Sequence, residues 1–511
     1  MSGEQSARIE AHQQRLFWGC FIALIATAFG FVIRGMLLDE WGVVFNLSGA
    51  EKGQIAGVGF WPFAVSIVLF SLIIDKIGYG TAMAFAFICH AVSTVITIFA
   101  TGYDMLWGGT FIFALGCGTV EAVINPVVAT LFSREKTKWL NILHAGWPGG
   151  LVIGGICVIL LGAAGIMAWQ VKVGLILIPT IIYGIMLFGQ KFPVHERVES
   201  GVSYLAMLKE VGVIGALIVT TLMTIEVCRF FGIESTVVRV AIILVVTGAY
   251  GFYVRSLGQP LFIFLILIMM PLATTELGTD IWITSLMNKP MTDLGLPAVS
   301  VLIYTSFIMM LLRFSAGPIV HKFSPIGLLM ASALIAILGL VFLSKAAGIG
   351  ILVAATLYAL GKTFFWPTML GVVAEQFPKG GAMTINTIAA VGMLAVGIVG
   401  APFLGYFQDN SISKHLQAER PEIHAQYTIE KSWALGTVTA LDQDKLKGAS
   451  EEDQQVVAEL SETARKGALM AVAIFPTIML VCYIILFFYF KSKGGYKVVH
   501  IGGPDEAVYD K

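Results

Sequence analysis

Long apolar runs, separated by short polar loops, fill almost the whole chain. Each is long enough to cross the hydrocarbon core of a bilayer as a helix, which takes roughly 20 residues. The pattern predicts about fourteen such spans. They cover 16–37, 53–74, 80–101, 106–132, 140–163, 171–190, 211–228, 236–254, 259–286, 298–320, 326–344, 349–373, 382–407 and 467–490. One sizeable polar stretch is left, 409–466. Its end, EEDQQVVAELSETARKG, reads as a charged surface helix.

Composition supports the same class. Hydrophobic residues make up 57% of the 511 positions and charged residues 13%, too apolar a balance for a soluble fold of this length. The expected fold is an all-α membrane protein whose main solvent is lipid. Lys+Arg and Asp+Glu are equal at 32 each, so there is no basic footprint for nucleic acid. The six cysteines sit in or beside apolar runs and form no CxxC, which argues against a disulfide framework or a zinc site. The segment 409–466 has no phosphate loop, nucleophile elbow or paired His/Cys ligand set, and no Walker A motif occurs anywhere, so neither an enzyme nor an ATP-driven pump is expected, and no metal or cofactor. The polar start, MSGEQSARIEAHQQR, leads into the first span without a cleavage site, so that span is expected to be kept.

Positive charge orients the spans. One set of loops carries Arg8, Arg15, Lys76, Arg134, Lys136, Lys138, Lys191, Arg197, Lys209, Arg255, Arg313, Lys322, Lys379, Lys491, Lys493 and Lys497. The opposite short loops carry Lys52, Arg229, Arg239, Lys289 and Lys345. The asymmetry predicts a multi-pass protein of the cell membrane with both termini cytoplasmic and 409–466 outside.

Two short patterns recur in the same order and at nearly the same spacing. Ser71-Leu-Ile-Ile-Asp75-Lys76-Ile-Gly78 after the second span matches Gly317-Pro-Ile-Val-His321-Lys322-Phe-Ser324 after the tenth. Gly116-Cys-Gly-Thr-Val-Glu121 matches Gly361-Lys362-Thr-Phe-Phe-Trp366. They point to two related halves, a known transporter architecture with the solute bound between them near the midplane.

On these residues the chain resembles the major facilitator superfamily, whose loop signature is Gly-x-x-x-Asp-Arg/Lys-x-Gly. Asp75, Lys76 and Gly78 keep it, and Ser71 replaces the first glycine. Gly397-Ile-Val-Gly400-Ala-Pro402 resembles the superfamily's penultimate helix. The resemblance implies two six-helix halves. The expected division is 1–200 for the first, 201–256 for an inserted helical hairpin, and 257–511 for the second with its polar insertion at 409–466. Asp75, Lys76 and Gly78, with Arg313 and Lys322 on the other half, become candidate gating residues.

The candidate chemistry lies inside the spans. Glu121-Ala-Val-Ile-Asn125-Pro126 places Glu121 near mid-membrane with Asn125 one turn on along the same face. A carboxylate at that depth should face the interior, where it can exchange a proton. Pro126 frees a backbone carbonyl. Asn141-Ile-Leu-His144-Ala-Gly-Trp147 opens the fifth span. Glu276-Leu-Gly-Thr-Asp280-Ile-Trp282 puts two carboxylates on one face of the ninth. Lys362 and Trp366 sit in the twelfth, Trp366 at the repeat position of Glu121; Lys362 could neutralise Glu276 or Glu121. Trp61, Trp147 and Asn386 are further lining candidates, and His90 a core histidine.

The run Glu-x-x-x-Asn-Pro followed by Leu-Asn-x-x-His is similar to the fucose–proton symporter family. The resemblance implies that Glu121 binds sugar or proton and that Asn141 contacts sugar. The resulting expectation is a monomeric transporter taking up a monosaccharide with a proton. Glu121, Asn125, Asn141, His144, Glu276, Lys362 and Trp366 are its candidate substrate residues, and Glu121 and Glu276 its coupling residues. The alternative is an organic anion or sugar acid clamped by Arg34 and Lys362, and the remote one a membrane receptor or other non-transport protein.

Overall fold

The computed structural model describes residues 3–433 and 436–501, with some side chains in these stretches, among them Trp282, Lys289 and Pro402, outside the described set. Twelve described helices are long and apolar enough to cross a bilayer, or thirteen if Ser300–Phe314 and Ala316–Phe323, bent by 69°, count as one span. The expected count of fourteen is not met at 349–373. That stretch is two short helices rather than one.

The first half comprises α1 (Gly3–Val44), α2 (Trp61–Ile77), α3 (Tyr79–Ile98), α4 (Tyr103–Leu131), α5 (Gly146–Ala163) and α6 (Leu177–Leu187). Then come α7 (Tyr204–Phe230) and α8 (Thr236–Val254). The remainder holds α9 (Pro260–Ala273), α10 (Ser300–Phe314), α11 (Pro325–Leu343), α12 (Gly350–Lys362), α13 (Phe365–Gln376), α14 (Gly381–Ala395), α15 (Ala401–Glu419), α16 (Glu451–Val472) and α17 (Ile474–Ser492). The early and late helices meet along three seams: α5 on α10, α2 on α14, and the short helix Lys136–Leu143 on α13. Helix α8 packs on α7 and leaves most of its side chains exposed, as a lipid-facing helix must. Helix α7 is more deeply set, and its Phe230 ring lies 5.3 Å from the rings of both Trp61 and Trp107.

Proline explains where α12 ends. Inside a continuous helix Pro367 would clash with the carbonyl of Thr363, four residues back, and leave it unbonded. The helix instead stops at Lys362 and restarts at Phe365, and Arg313 Nε donates to the Thr363 carbonyl at 2.7 Å. Pro126 frees the Ala122 carbonyl in α4 by the same rule, and Asn386 Nδ2 of α14 donates to it at 3.0 Å. Both orphaned carbonyls are thus satisfied by side chains from other helices.

Two further irregularities face each other. Thr274–Gly278 and Val396–Gly400 are π-helical turns, and Gly278 packs against Gly400. Such wide turns are frequent at functional sites.

The first and last described stretches of the chain lie at one end of the bundle. There His12 bonds the Lys191 carbonyl, and the C-terminal tail bonds α13 through Tyr496 and Val499 on Glu375. The segment beyond α15 forms a compact extension at the opposite end. A hairpin pairs Thr428–Trp433 with Gly436–Leu441, and α16, capped by Ser450, returns to the membrane. Ile412, Leu416, Tyr427 and Val457 give this extension a small core of its own. The expected surface helix is therefore present, as the start of α16.

Candidate functional site

Two chambers lie between the halves. The outer has a volume of about 520 Å³ and begins near the exposed Asp39. It narrows to Phe63, Trp147 and Met393, which also wall an inner chamber of about 20 Å³. The inner one has room for about one water molecule.

The inner chamber gathers Glu121, His144, Glu276, Arg313 and Trp366. A chain of hydrogen bonds runs through them from one half to the other. Asn125 Nδ2 donates to the Glu121 carboxylate at 2.6 Å, as their spacing of one helical turn predicts. With its amide hydrogens so used, Asn125 offers its carbonyl to His144 Nε2 at 2.9 Å, so that nitrogen carries the proton. Arg313 Nη1 donates to the His144 carbonyl at 2.8 Å, and Arg313 Nη2 to Glu276 at 2.6 Å. The second Glu276 oxygen accepts the backbone N–H of Trp366 at 2.9 Å. That N–H is one of the unsatisfied donors of the first turn of α13, where the helix dipole also favours negative charge. The break before Pro367 therefore creates the donor that holds Glu276. Glu121, Asn125, His144, Glu276 and Arg313 are all buried.

The sequence placed Arg313 in a loop facing the cytoplasm; the structure corrects this. Arg313 is 1% exposed and sits at the centre of the molecule. Loop counting assigns it to an end because α10 is only 15 residues long and its continuation is bent away. A carboxylate as deep as Glu276 needs a buried partner, and that need was the signal available in the sequence.

Lys362 also has a different partner from those expected. It is fully buried and paired with Asp280, and its ammonium lies 5.4 Å from the centre of the Tyr358 ring. Asp280 lines the outer chamber. Asn141 stands apart from both chambers: its amide bonds the Thr137 carbonyl at 2.8 Å and Thr368 at 3.2 Å, joining the short helix to α13. Trp61 packs against Phe111 and Phe230, away from the chamber walls. His90 is a buried core residue between Tyr183 and Cys117.

The terminal end is closed below the inner chamber. Lys136 bonds Glu196 at 2.8 Å and the Ala374 carbonyl at 3.2 Å. Thr137 donates to Glu375 through its backbone at 3.0 Å and its hydroxyl at 2.6 Å, while Tyr496 donates to the other oxygen at 2.7 Å. The repeated loop residues border this closure. Asp75 pairs with Arg197, whose side chain packs against Gly381 of the other half. His321 meets Glu135 at 3.1 Å. Gly78 has φ +81°, which explains the glycine at that turn. The Lys76 ammonium lies 5.6 Å from the Tyr204 ring centre, and Lys322 is exposed. His195, between Lys136 and Arg197, is pushed down to about 3, first by burial and then by those two cations.

The Major Facilitator Superfamily profile matches residues 19–402, three quarters of the chain with both chambers inside it. The protein belongs to this superfamily of membrane transporters. A probable 4-methylmuconolactone transporter of Cupriavidus pinatubonensis is 25% identical over 173 residues, 33% of this chain and 40% of that one. A TsgA homologue of Buchnera aphidicola is 27% identical over 125 residues, 24% of this chain and 32% of that one. The matches thus span less than half the length of either relative. Among solved structures, a proton:xylose symporter superimposes with a TM-score of 0.59 at 12% identity, over 91% of this chain and 95% of its own. The human organic anion transporter MFSD10 gives 0.58 at 11% identity, over 92% and 99%. The E. coli fucose:proton symporter gives 0.52 at 13% identity, over 90% and 98%. At these identities the likeness concerns the fold.

Proposed function

We propose that the protein is a proton-coupled secondary transporter that carries a small organic solute across the cell membrane by alternating access. The observation that carries the reading is the buried chain Glu121–Asn125–His144–Arg313–Glu276, which ties the two halves together at mid-membrane. Solute enters the outer chamber while the terminal end is closed by Lys136, Thr137, Glu375 and their partners. Rocking of the halves then breaks those contacts and opens the other side. Glu121 takes a proton from the outer chamber before the site occludes, so that no bare charge is carried across. Arg313 holds Glu276 against the start of α13 and keeps that carboxylate as the second station. Both termini are cytoplasmic by the lysine and arginine asymmetry, which makes the larger chamber face outward.

The solute expected from the sequence, a monosaccharide, has one feature in its favour, and an organic anion remains the alternative. Trp147 lines the outer chamber as well as the inner one and offers the larger space a flat ring on which a pyranose face can stack. The named activities of the fucose and xylose symporters agree with this, and that of MFSD10 with an anion.

Glu121→Gln in proteoliposomes tests the coupling. Exchange of labelled solute between internal and external pools should persist, and accumulation driven by a pH gradient should vanish. Normal proton-driven accumulation in this variant moves the coupling elsewhere, with Glu276 next.

A further inference from the structure

Among the described residues, Arg34 is a buried cation with no carboxylate partner. It lies in the outer half of α1, is 7% exposed, and lines the outer chamber. Its Nη1 donates to Thr97 at 3.0 Å and to Thr110 at 3.2 Å. Its Nε and Nη2 are buried with no hydrogen-bond partner. These two atoms form one edge of the guanidinium, and their parallel N–H bonds match the two oxygens of a carboxylate. Leaving half the donors of such a cation buried and unpaired is expensive, so an empty edge calls for an anion from outside the chain.

The surroundings hold that edge in place. The guanidinium lies over the Phe113 ring, 4.9 Å from its centre, and His90 stacks on the same ring. Phe113 reaches this position because Gly30 has no side chain: a Cβ there would come within 2.0 Å of the ring. Thr97 and Thr110 accept from Nη1 and fix the rotation of the group. The other charges along the wall are matched, Asp39 by Lys52 at 2.8 Å and Asp280 by Lys362. The chamber therefore carries one uncompensated positive charge. Its volume suits a small organic molecule, and Phe31, Phe60, Phe63, Trp41 and Trp147 make most of its surface apolar.

We infer that Arg34 anchors the carboxylate of a small organic acid with an apolar, ring-sized body, and that the outer chamber is the solute site for this acid. The assignment rests on the reading of the chamber as a transport site and names its substrate class. A sugar fits less well, because a mostly apolar wall leaves most of its hydroxyls without partners and the guanidinium without an anion. Trp147 and Met393, shared with the inner chamber, then place the bound acid directly above Glu121.

Binding to the purified, full-length protein in nanodiscs tests this without requiring transport. The probes are aromatic and alicyclic monocarboxylates, each matched with its neutral amide, starting from benzoate and benzamide, and D-xylose. Carboxylates should bind saturably and raise the melting temperature, and their amides should bind at least tenfold more weakly. Arg34→Gln should weaken carboxylate binding on the order of 100-fold. Arg34→Lys, which keeps charge without the two-pronged edge, should lose part of it. Thr110→Val, which keeps the Arg34 side chain, should weaken it severalfold and serves if the Arg34 variants fail to fold. Equal affinity for acid and amide, or saturable xylose binding with no carboxylate binding, overturns the assignment. Neither result touches the proton-coupling reading, which fails separately if pH gradients drive no accumulation of any solute.

Discussion

Arg34 and Arg313 are both buried arginines on membrane helices, one in each half, and differ in what completes them. Arg313 donates to the Thr363 carbonyl, the His144 carbonyl and the Glu276 carboxylate, so its charge and its geometry are answered from within the chain. Arg34 bonds two threonine hydroxyls and leaves an edge bare. The first arginine is part of the frame that joins the halves. The second is an incomplete site, and its missing partner has to arrive with the solute. Burial alone does not separate these roles; the count of satisfied donors does.

The strongest way to break the comparison is Arg313→Gln. It strands Glu276 as a buried, unpaired carboxylate, which should destabilise the protein by about 3–5 kcal/mol. Adding Glu276→Gln should restore most of the loss in thermal unfolding, since both charges then leave together. An Arg313 variant as stable as the wild type would show that the pair holds nothing together. Arg34→Gln should by contrast leave the melting temperature of the empty protein nearly unchanged or raised.

A second effect belongs to the closure and follows pH. His195 in the folded protein titrates far below an ordinary histidine, at about 3, because burial and two neighbouring cations oppose its charge. Its contribution is therefore complete above about pH 6.5, the unfolded value, and is lost as pH falls toward 3. Between pH 7 and pH 5 the folded state should lose up to about 2 kcal/mol from this group, at 1.36 kcal/mol per unit. His195→Gln should flatten that slope in a series of unfolding curves. An identical slope in both proteins would place the acid sensitivity elsewhere.

Asn141 gives a smaller contrast. Its bonds to Thr137 and Thr368 predict that Asn141→Ala costs about 1 kcal/mol of stability. Solute affinity should stay within twofold. A tenfold loss of affinity in a binding titration would return this residue to the solute site that its resemblance implied. The least effect on transport is expected from replacing 204–256 by a polar linker. Labelled-solute uptake should remain measurable while the melting temperature drops, because Phe230 no longer fills the groove beside Trp61 and Trp107. Complete loss of uptake in a folded, inserted protein would make α7 part of the transport core.

Much of the architecture was legible in hydropathy, since a span long enough for lipid advertises itself residue by residue. The Glu121–Asn125 bond followed from helical spacing, and the meeting of Glu121 with Trp366 followed from the repeat. What could not be read was anything decided between helices. Hydropathy sees 349–373 as one apolar run, whereas Pro367 and the competing bond from Arg313 divide it. Arg313 looked like an end-of-span anchor because its partners, Glu276 and His144, are distant in sequence. Lys362 had three carboxylates to choose from, and only the packing selects Asp280. Arg34 drew attention as a charge, but its empty edge is visible only once Thr97, Thr110 and Phe113 are in place.

The division of that run bears on how the chain enters the bilayer during synthesis. Helix α12 has 13 residues, about 20 Å at 1.5 Å per residue, and reaches only part of the way across. It also ends on Lys362, and α10 carries Arg313 in its last turn; both side chains are buried, and a charge inside the membrane is costly until it is paired. Neither segment is a good passenger for the translocon by itself. Their acidic partners, Glu276 and Asp280, lie just after α9 and emerge from the ribosome first. The late helices should therefore be held near the insertion channel until they can enter as a group, with the charges already matched.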